Sequence, residues 1–214
     1  MSNVIADYEP GVLSSYRNGW RQLWKYFWAL FLIGIIHIIF TIPAELSPRL
    51  GEGDITAFLV VSTLVYSFLI LSPIELGVNF SYLKAARGDN LKIKNIFEAF
   101  QNYRSAVLAS ILVFVIITIG VLLLIVPGII FACKLAFTPY LVVDRKMSAI
   151  EAVKGSWHMT NGHAWKIFLM GLLTIPISIA GLFVIGVGLI ISIMWVSLAF
   201  ASLYHAVSHQ MSTT

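Results

Sequence analysis

The stretch "LLLIVPGIIFACKLAFTPYLVVDR", Leu122 to Arg145, decides the fold of this chain. Its residues are mostly apolar, a Pro-Gly pair interrupts it, and one lysine, Lys134, lies inside it. A helix needs about 20 mostly apolar residues to cross a hydrocarbon core of about 30 Å. The stretch therefore predicts a membrane-spanning helix that begins after the Pro-Gly pair. It also raises the question of what an ammonium group does there.

The composition extends this prediction to the whole chain. Of the 214 residues, 59% are hydrophobic and only 11% are charged, whereas soluble domains carry about 25% charged residues. The opening "MSNVIADYEP" is polar and leads into an apolar run of full spanning length, so we expect the N-terminus to be retained. One cysteine, Cys133, excludes an intramolecular disulfide. We therefore predict an integral membrane protein with almost no soluble domain.

The apolar runs and the residues that interrupt them predict an all-α fold with six transmembrane helices. Short turns at Pro127-Gly128 and Ala180-Gly181, and a longer one in "PAELSPRLGEGD", pair these helices into three hairpins. The chain, residues 1–214, is then a single membrane domain made of hairpin units at about 10–88, 89–146 and 147–208. The predicted helices are 24–42, 55–83, 105–126, 129–143, 164–180 and 182–206.

The basic residues predict the orientation, because Lys and Arg concentrate at the cytoplasmic ends of membrane spans. Arg49 is alone on one side of the predicted topology. Twelve basic residues lie on the other side, which predicts that both termini are cytoplasmic and that this surface attracts anionic lipid headgroups, not nucleic acid. They are Arg17, Arg21, Lys25, Lys84, Arg87, Lys92, Lys94, Arg104, Arg145, Lys146, Lys154 and Lys166.

A short amphipathic segment precedes each hairpin, and we expect it to lie in the membrane interface. The first has an apolar face of Tyr16, Trp20, Leu23, Trp24 and Phe27. The second, "NIFEAFQNYR", places Ile96, Phe100 and Tyr103 on one face, and the third does so with Ile150, Val153 and Trp157. The spacings of Asn95 with Glu98 and of Ser148 with Glu151 predict capping boxes. The predicted interfacial anchors are Trp20, Trp24, Phe100, Trp157 and Trp165.

Two stretches resemble a known family. "VPGIIFACKLAFTPYLVVDRKMSAIEAVKGSWHMTNGHAWKIF" has a Pro-Gly, a span, a proline, an acid-containing turn, Glu-Ala, Ser-Trp and a glycine before the next span. "GVNFSYLKAARGDNLKIKNIFEAF" follows the second span with Gly, Leu, Arg-Gly and Phe. Both are similar to the membrane domain fused to some bacterial glycerophosphodiester phosphodiesterases and to stand-alone bacterial membrane proteins of the YciC type. The resemblance implies a six-helix bundle near lipids and carries no catalytic residues.

Three ionisable residues lie inside predicted spans: His37, Glu75 and Lys134. A charged side chain at the bilayer centre costs about 2.5–3.5 kcal/mol on insertion scales, so such residues pair, face a cavity or reach toward the interface. Helical rise places Glu75 and Lys134 roughly 12 and 15 Å from the cytoplasmic ends of their spans, so an ion pair is allowed. Snorkelling side chains and a polar cavity are the alternatives. His37 is interpreted as a hydrogen-bonded packing residue.

The sequence has no motif for catalysis, for a cofactor or for a metal centre. His205 and His209 are one turn apart but lack a third ligand, so we interpret them as a basic helix end. The favoured hypothesis is a non-enzymatic protein of the bacterial cytoplasmic (inner) membrane with a lipid-facing, scaffolding or accessory role. The alternative is a small transporter or channel with a polar path near Glu75 and Lys134. Membrane lipids are the predicted partners, while protein partners and oligomeric state stay open.

Overall fold

The computed structural model describes residues 10–46, 55–184 and 187–213, and all regular secondary structure in these ranges is helical. Six stretches are long and apolar enough to cross a membrane, as the sequence predicts. The loop that contains Arg49 lies outside the described residues. The spans are Phe27–Leu46, Ala57–Arg87, Ile93–Leu123, Ile125–Asp144, Ala164–Leu182 and Gly188–Met211.

The helices are numbered in chain order. A π-helical turn at Ser67–Leu71 joins α3 to α4, and a 3₁₀ helix at Ile93–Asn102 leads into α5. The helices are α1 Val12–Lys25, α2 Phe27–Leu46, α3 Ile55–Tyr66, α4 Ser72–Arg87, α5 Tyr103–Leu123, α6 Ile125–Leu135, α7 Thr138–Asp144, α8 Ala149–Met159, α9 Ala164–Leu182 and α10 Val187–Thr213.

The centre of the bundle is formed by α4 and α10. Of the six spans, the one in α10 has the largest buried share, 61% of its most apolar window. Its second half is rich in alanine and serine, which allow neighbouring helices to approach closely. Residues such as Leu198, Ala199 and Tyr204 are fully buried there. The α1 helix packs against this part of α10, with Gly19 facing the backbone of Ala199.

The two predicted Pro-Gly and Ala-Gly turns are wrong in position. The chain turns at Leu124, whose backbone is extended, and Pro127 and Gly128 lie in the first turns of α6. Proline is tolerated there because a helix start leaves its N–H groups unbonded. Gly128 lies so close to α5 that a Cβ would be 2.9 Å from the Val121 nitrogen. The pair therefore begins a helix and allows close packing instead of forming the turn.

Gly181 has a similar role at the other predicted turn. It lies inside α9, which ends at Leu182, and a Cβ on it would be 2.7 Å from the Gly188 carbonyl oxygen in α10. The hydroxyl of Ser192 donates to the carbonyl of Ile177 across the same contact, at 3.1 Å. Glycine at these positions serves the close approach of two helices.

Two of the segments expected to be amphipathic, the 3₁₀ helix and α8, bury a different set of side chains from the predicted apolar faces. In α8 the buried residues are Ala149, Ala152, Ser156 and Met159, whereas Ile150 is 61% exposed. In the 3₁₀ helix, Asn95, Ile96 and Ala99 are buried and Phe100 is exposed. Most of the buried residues are therefore small, with Ile96 and Met159 as the larger apolar ones, whereas Ile150 and Phe100 face outward.

One of the two predicted capping boxes is confirmed. Glu151 accepts hydrogen bonds from the side chain and the backbone of Ser148, at 2.8 and 3.0 Å, and these bonds lower the pKa of its carboxyl. The box predicted for Asn95 and Glu98 is wrong. Asn95 instead accepts a bond from the N–H of Lys92, which precedes the 3₁₀ helix, so the cap lies three residues earlier than predicted.

Candidate functional site

The strongest candidate site surrounds Glu75 in the first turn of α4. Pro73 precedes it and has no N–H to donate to the carbonyl of Leu69, four residues earlier, where a proline ring also clashes in a regular helix. The π-helical turn lies at this point, and the hydroxyl of Tyr103 donates to the Leu69 carbonyl at 2.9 Å. Single π-helical turns are frequent at functional sites. Pro73 thus explains why the helix is irregular next to Glu75, the acid that lies deep in this span.

Glu75 lies between two clefts. The α5 cleft, of about 450 Å³, is bounded by α3, the π-helical turn, α4, α5 and α7. The α2 cleft, of about 320 Å³, is bounded by α2, α4 and α10. Both are lined by Glu75 and by Asn79, which lies one helical turn further along α4. The carboxylate is exposed to these clefts and forms no ion pair with any described residue.

The walls of the α5 cleft are mainly apolar, but several polar groups interrupt them. The hydroxyl of Ser72 donates to that of Ser110 at 2.6 Å and so connects α4 with α5. Thr138 at the start of α7 is 1% exposed, and its hydroxyl has no hydrogen-bond partner in the described part of the chain. A buried hydroxyl without a partner costs free energy. Thr138 therefore leaves a buried bonding group unused behind the cleft wall, and Glu75 is the exposed acid of the cleft.

His37 belongs to the same site. Its side chain lines the α2 cleft together with Glu75, and no hydrogen bond joins its ring to the described residues. The backbone carbonyl of His37 accepts a bond from Thr41 at 2.9 Å, within α2. The structure thus brings together two of the three ionisable residues that were selected from the sequence.

Lys134 is not part of this site. Its ammonium group donates to the side-chain oxygen of Asn161 at 2.5 Å and lies 5.6 Å from the centre of the Trp157 ring. Asn161 lies in the turn between α8 and α9, at the basic end of the bundle. The ion pair with Glu75 allowed by helical rise is therefore not formed, because the ammonium group of Lys134 is bonded to Asn161 instead.

The backbone near Lys134 shows how the fourth span is interrupted. Between α6 and α7 the chain leaves its helix at Ala136 and Phe137. Ser156 of α8 accepts the Phe137 N–H at 3.1 Å and donates to the Lys134 carbonyl at 2.8 Å, and Thr160 donates to the same carbonyl at 3.2 Å. Broken helices are tolerated in membranes where side chains satisfy the freed backbone groups in this way.

The ion pair in the described part of the chain joins Arg87 at the end of α4 to Asp144 at the end of α7. It is bidentate, with nitrogen–oxygen distances of 2.6 and 2.7 Å, and Tyr204 donates to Asp144 at 3.0 Å. The sequence placed both residues at the basic end but did not predict their pairing. The usable signal was that two oppositely charged residues end two different spans on the same side.

The five predicted anchors are all exposed on the surface of the bundle. The exposed fraction of these side chains ranges from 38% for Trp157 to 67% for Trp165. Trp20 also packs edge-on against Trp195 of α10, with ring centres 4.9 Å apart. Trp20 is thus both packed against α10 and exposed at the surface of the bundle.

Comparison with known proteins leaves the activity open. No curated protein and no solved structure matches this chain. A family model described as "Domain of unknown function (DUF7847)" matches residues 54–213, which include α4, α5, α7 and α10 around Glu75, and the chain therefore belongs to that family.

Proposed function

We propose that this chain is a non-enzymatic carrier of the bacterial cytoplasmic membrane that binds small lipophilic cations between the two clefts at Glu75. Its six spans form three hairpins with both termini in the cytoplasm, and its short amphipathic helices lie in the interface. The observation that carries the proposal is the carboxylate of Glu75, which lies deep in a span on the wall of two clefts and forms no ion pair with any described residue.

Charge and depth argue for a cationic ligand. Glu75 is roughly 18 Å from Arg87 along α4, at 1.5 Å rise per residue, which is near the middle of a hydrocarbon core of about 30 Å. An acid at this depth is costly when charged and is a functional-site hypothesis by default. A bound cation or a proton removes that cost. A cation therefore gains affinity from the neutralisation of the carboxylate.

The cleft walls argue for an apolar body on that cation. Most lining residues are aliphatic or aromatic, such as Phe68, Phe114 and Ile193. Small-molecule sites are typically apolar with a few polar groups that fix orientation. Because Glu75 and Asn79 border both clefts, a ligand in either cleft meets the same carboxylate and the same amide.

The Glu75→Gln variant tests the proposal with tetraphenylphosphonium as the probe. We expect purified wild-type protein to bind the probe, and the variant to bind at least about tenfold more weakly, since a charged interaction is worth about 1.5–3 kcal/mol. Isothermal titration in detergent measures this loss, and probe uptake into proteoliposomes measures transport. Glu45→Gln, at an exposed acid near the end of α2, is the matched control and should bind like wild type. Equal affinity in Glu75→Gln would refute the proposal.

A second candidate function is a lipid-facing accessory role, which is also what the resemblance read from the sequence implies. It is favoured by the exposed Trp and Phe anchors beside basic residues, because such residues locate a protein at an anionic interface. This role needs no cation site. Failure of the Glu75 experiment with intact folding would therefore leave it as the better hypothesis.

The proposed orientation has its own test. Single cysteines are introduced at Glu45 and Lys154, both exposed, in a Cys133→Ser background. In intact cells we expect a membrane-impermeant maleimide to label position 45, and to label position 154 only after the membrane is opened. Labelling of both positions from outside, or of neither, would contradict six spans with cytoplasmic termini.

A further inference from the structure

A third groove, separate from the two clefts at Glu75, lies between α6 and α9. Its volume is about 330 Å³, and it shares no lining residue with the clefts at Glu75. Spacings of three and four residues place the α6 members on one helical face. All the lining residues are apolar, including Val126, Ile130 and Cys133 of α6 and Trp165 and Phe168 of α9. The groove lies on the outer surface, since Ile130 is 49% and Trp165 is 67% exposed.

A fixed cation lies at one end of this groove. Lys134 follows Cys133 directly and is one helical turn from Ile130, so it continues the lining face of α6 toward the basic end. Asn161 and Trp157 hold its ammonium group in place. An ammonium group has three donors, and the bond to Asn161 uses one of them. Two donors are thus available at the point where the apolar groove ends.

We infer that this groove is a specific site for an anionic phospholipid. The phosphate binds the ammonium group of Lys134, and one acyl chain lies between α6 and α9. Charge complementarity selects the anionic headgroup, because no described carboxylate pairs with Lys134. The position of the cation at the end of an apolar groove matches a lipid, whose charge lies at the end of its chains. This site explains why Lys134 is tolerated in an apolar stretch.

Lipid retention measures the site directly. Protein is reconstituted in nanodiscs with equal amounts of phosphatidylglycerol and phosphatidylcholine, released, and analysed by native mass spectrometry. We expect wild-type protein to retain one phosphatidylglycerol preferentially. Lys134→Met should reduce that preference about tenfold, as expected for one charge-assisted bond, and Lys134→Arg should restore most of it. Lys154→Met, at an exposed lysine of α8, is the charge-matched control and should retain lipid like wild type.

A second pair of variants tests the acyl-chain part of the site without changing charge. Ala164→Trp fills the groove and should reduce retention of phosphatidylglycerol as much as Lys134→Met does. Leu172→Trp adds the same bulk at an exposed position of α9 outside the groove and should have no effect. Equal retention in Lys134→Met and Lys154→Met, or in both tryptophan variants, would show ordinary surface lipid and overturn the site. Detection of a wild-type dimer that Ala164→Trp dissociates, with no retained phosphatidylglycerol in either, would overturn the lipid site and identify a second copy of the chain as the occupant.

Discussion

Replacing Gly77 with alanine should destabilise the bundle more than the same replacement at any other described glycine. A Cβ at Gly77 would overlap the carbonyl oxygen and the carbonyl carbon of Ile96 in the 3₁₀ helix. The contact is with backbone, so no side-chain rotation can relieve it, and α4 must move away from the 3₁₀ helix. Overpacking typically costs about 1–3 kcal/mol and occasionally more, and a clash with backbone should lie at the upper end of that range.

Gly171 supplies the matched control for this experiment. It also lies inside a helix, α9, but a Cβ on it would have no atom of another element within 4 Å. Gly171→Ala should stabilise the protein by up to about 1 kcal/mol, because alanine favours helix more than glycine does. Thermal unfolding in detergent measures both variants. Equal midpoints for the two would contradict the close approach of α4 and the 3₁₀ helix.

The second large effect is expected at the ion pair of Arg87 and Asp144. Their side chains are only 22% and 12% exposed. Removing one partner of a buried pair strands the other charge at a cost of about 3–5 kcal/mol. Arg87→Met and Asp144→Asn should each cause such a loss, and the double variant should recover much of it. The coupling energy from the double-mutant cycle should therefore be well above zero.

A double-mutant cycle at Glu75 and Lys134 tests whether these two residues are separate, as in this structure, or form the ion pair that the sequence allowed. The two side chains have different surroundings, since Glu75 lines the clefts and Lys134 bonds to Asn161. Their substitutions should be additive within about 0.5 kcal/mol, as for independent sites. A strong coupling at Glu75 and Lys134, together with none at Arg87 and Asp144, would refute the helix arrangement described above.

The candidate site was predictable in part. Glu75 and His37 were selected because ionisable residues in apolar runs are unusual, and this signal is local. Their shared cleft was not predictable, because it depends on the rotation of α2 and α4 about their axes. Thr138 and Asn79 were missed because single polar residues in a span are common. A proline two residues before a membrane-embedded acid, as in Pro73 and Glu75, was the available signal for an irregular helix there.

The amino-acid sequence by itself determined the class of protein, its six spans and the basic character of one end. These properties follow from runs of neighbouring residues, since a stretch of about 20 mostly apolar residues is long enough to cross the bilayer as a helix. The turns were misplaced because Pro127, Gly128 and Gly181 have two possible uses, in a turn or in close packing, and only contact with another helix selects between them.

The tertiary structure alone decided which polar groups meet. It pairs Arg87 with Asp144, holds Lys134 on Asn161 and leaves Glu75 between two clefts. Each of these outcomes joins residues that are distant in sequence. The physical reason is that the rotation and depth of each helix are set by backbone contacts, such as that of Gly77 with Ile96. A shift of one residue along α4 or α6 would give the charged side chains of that helix different neighbours.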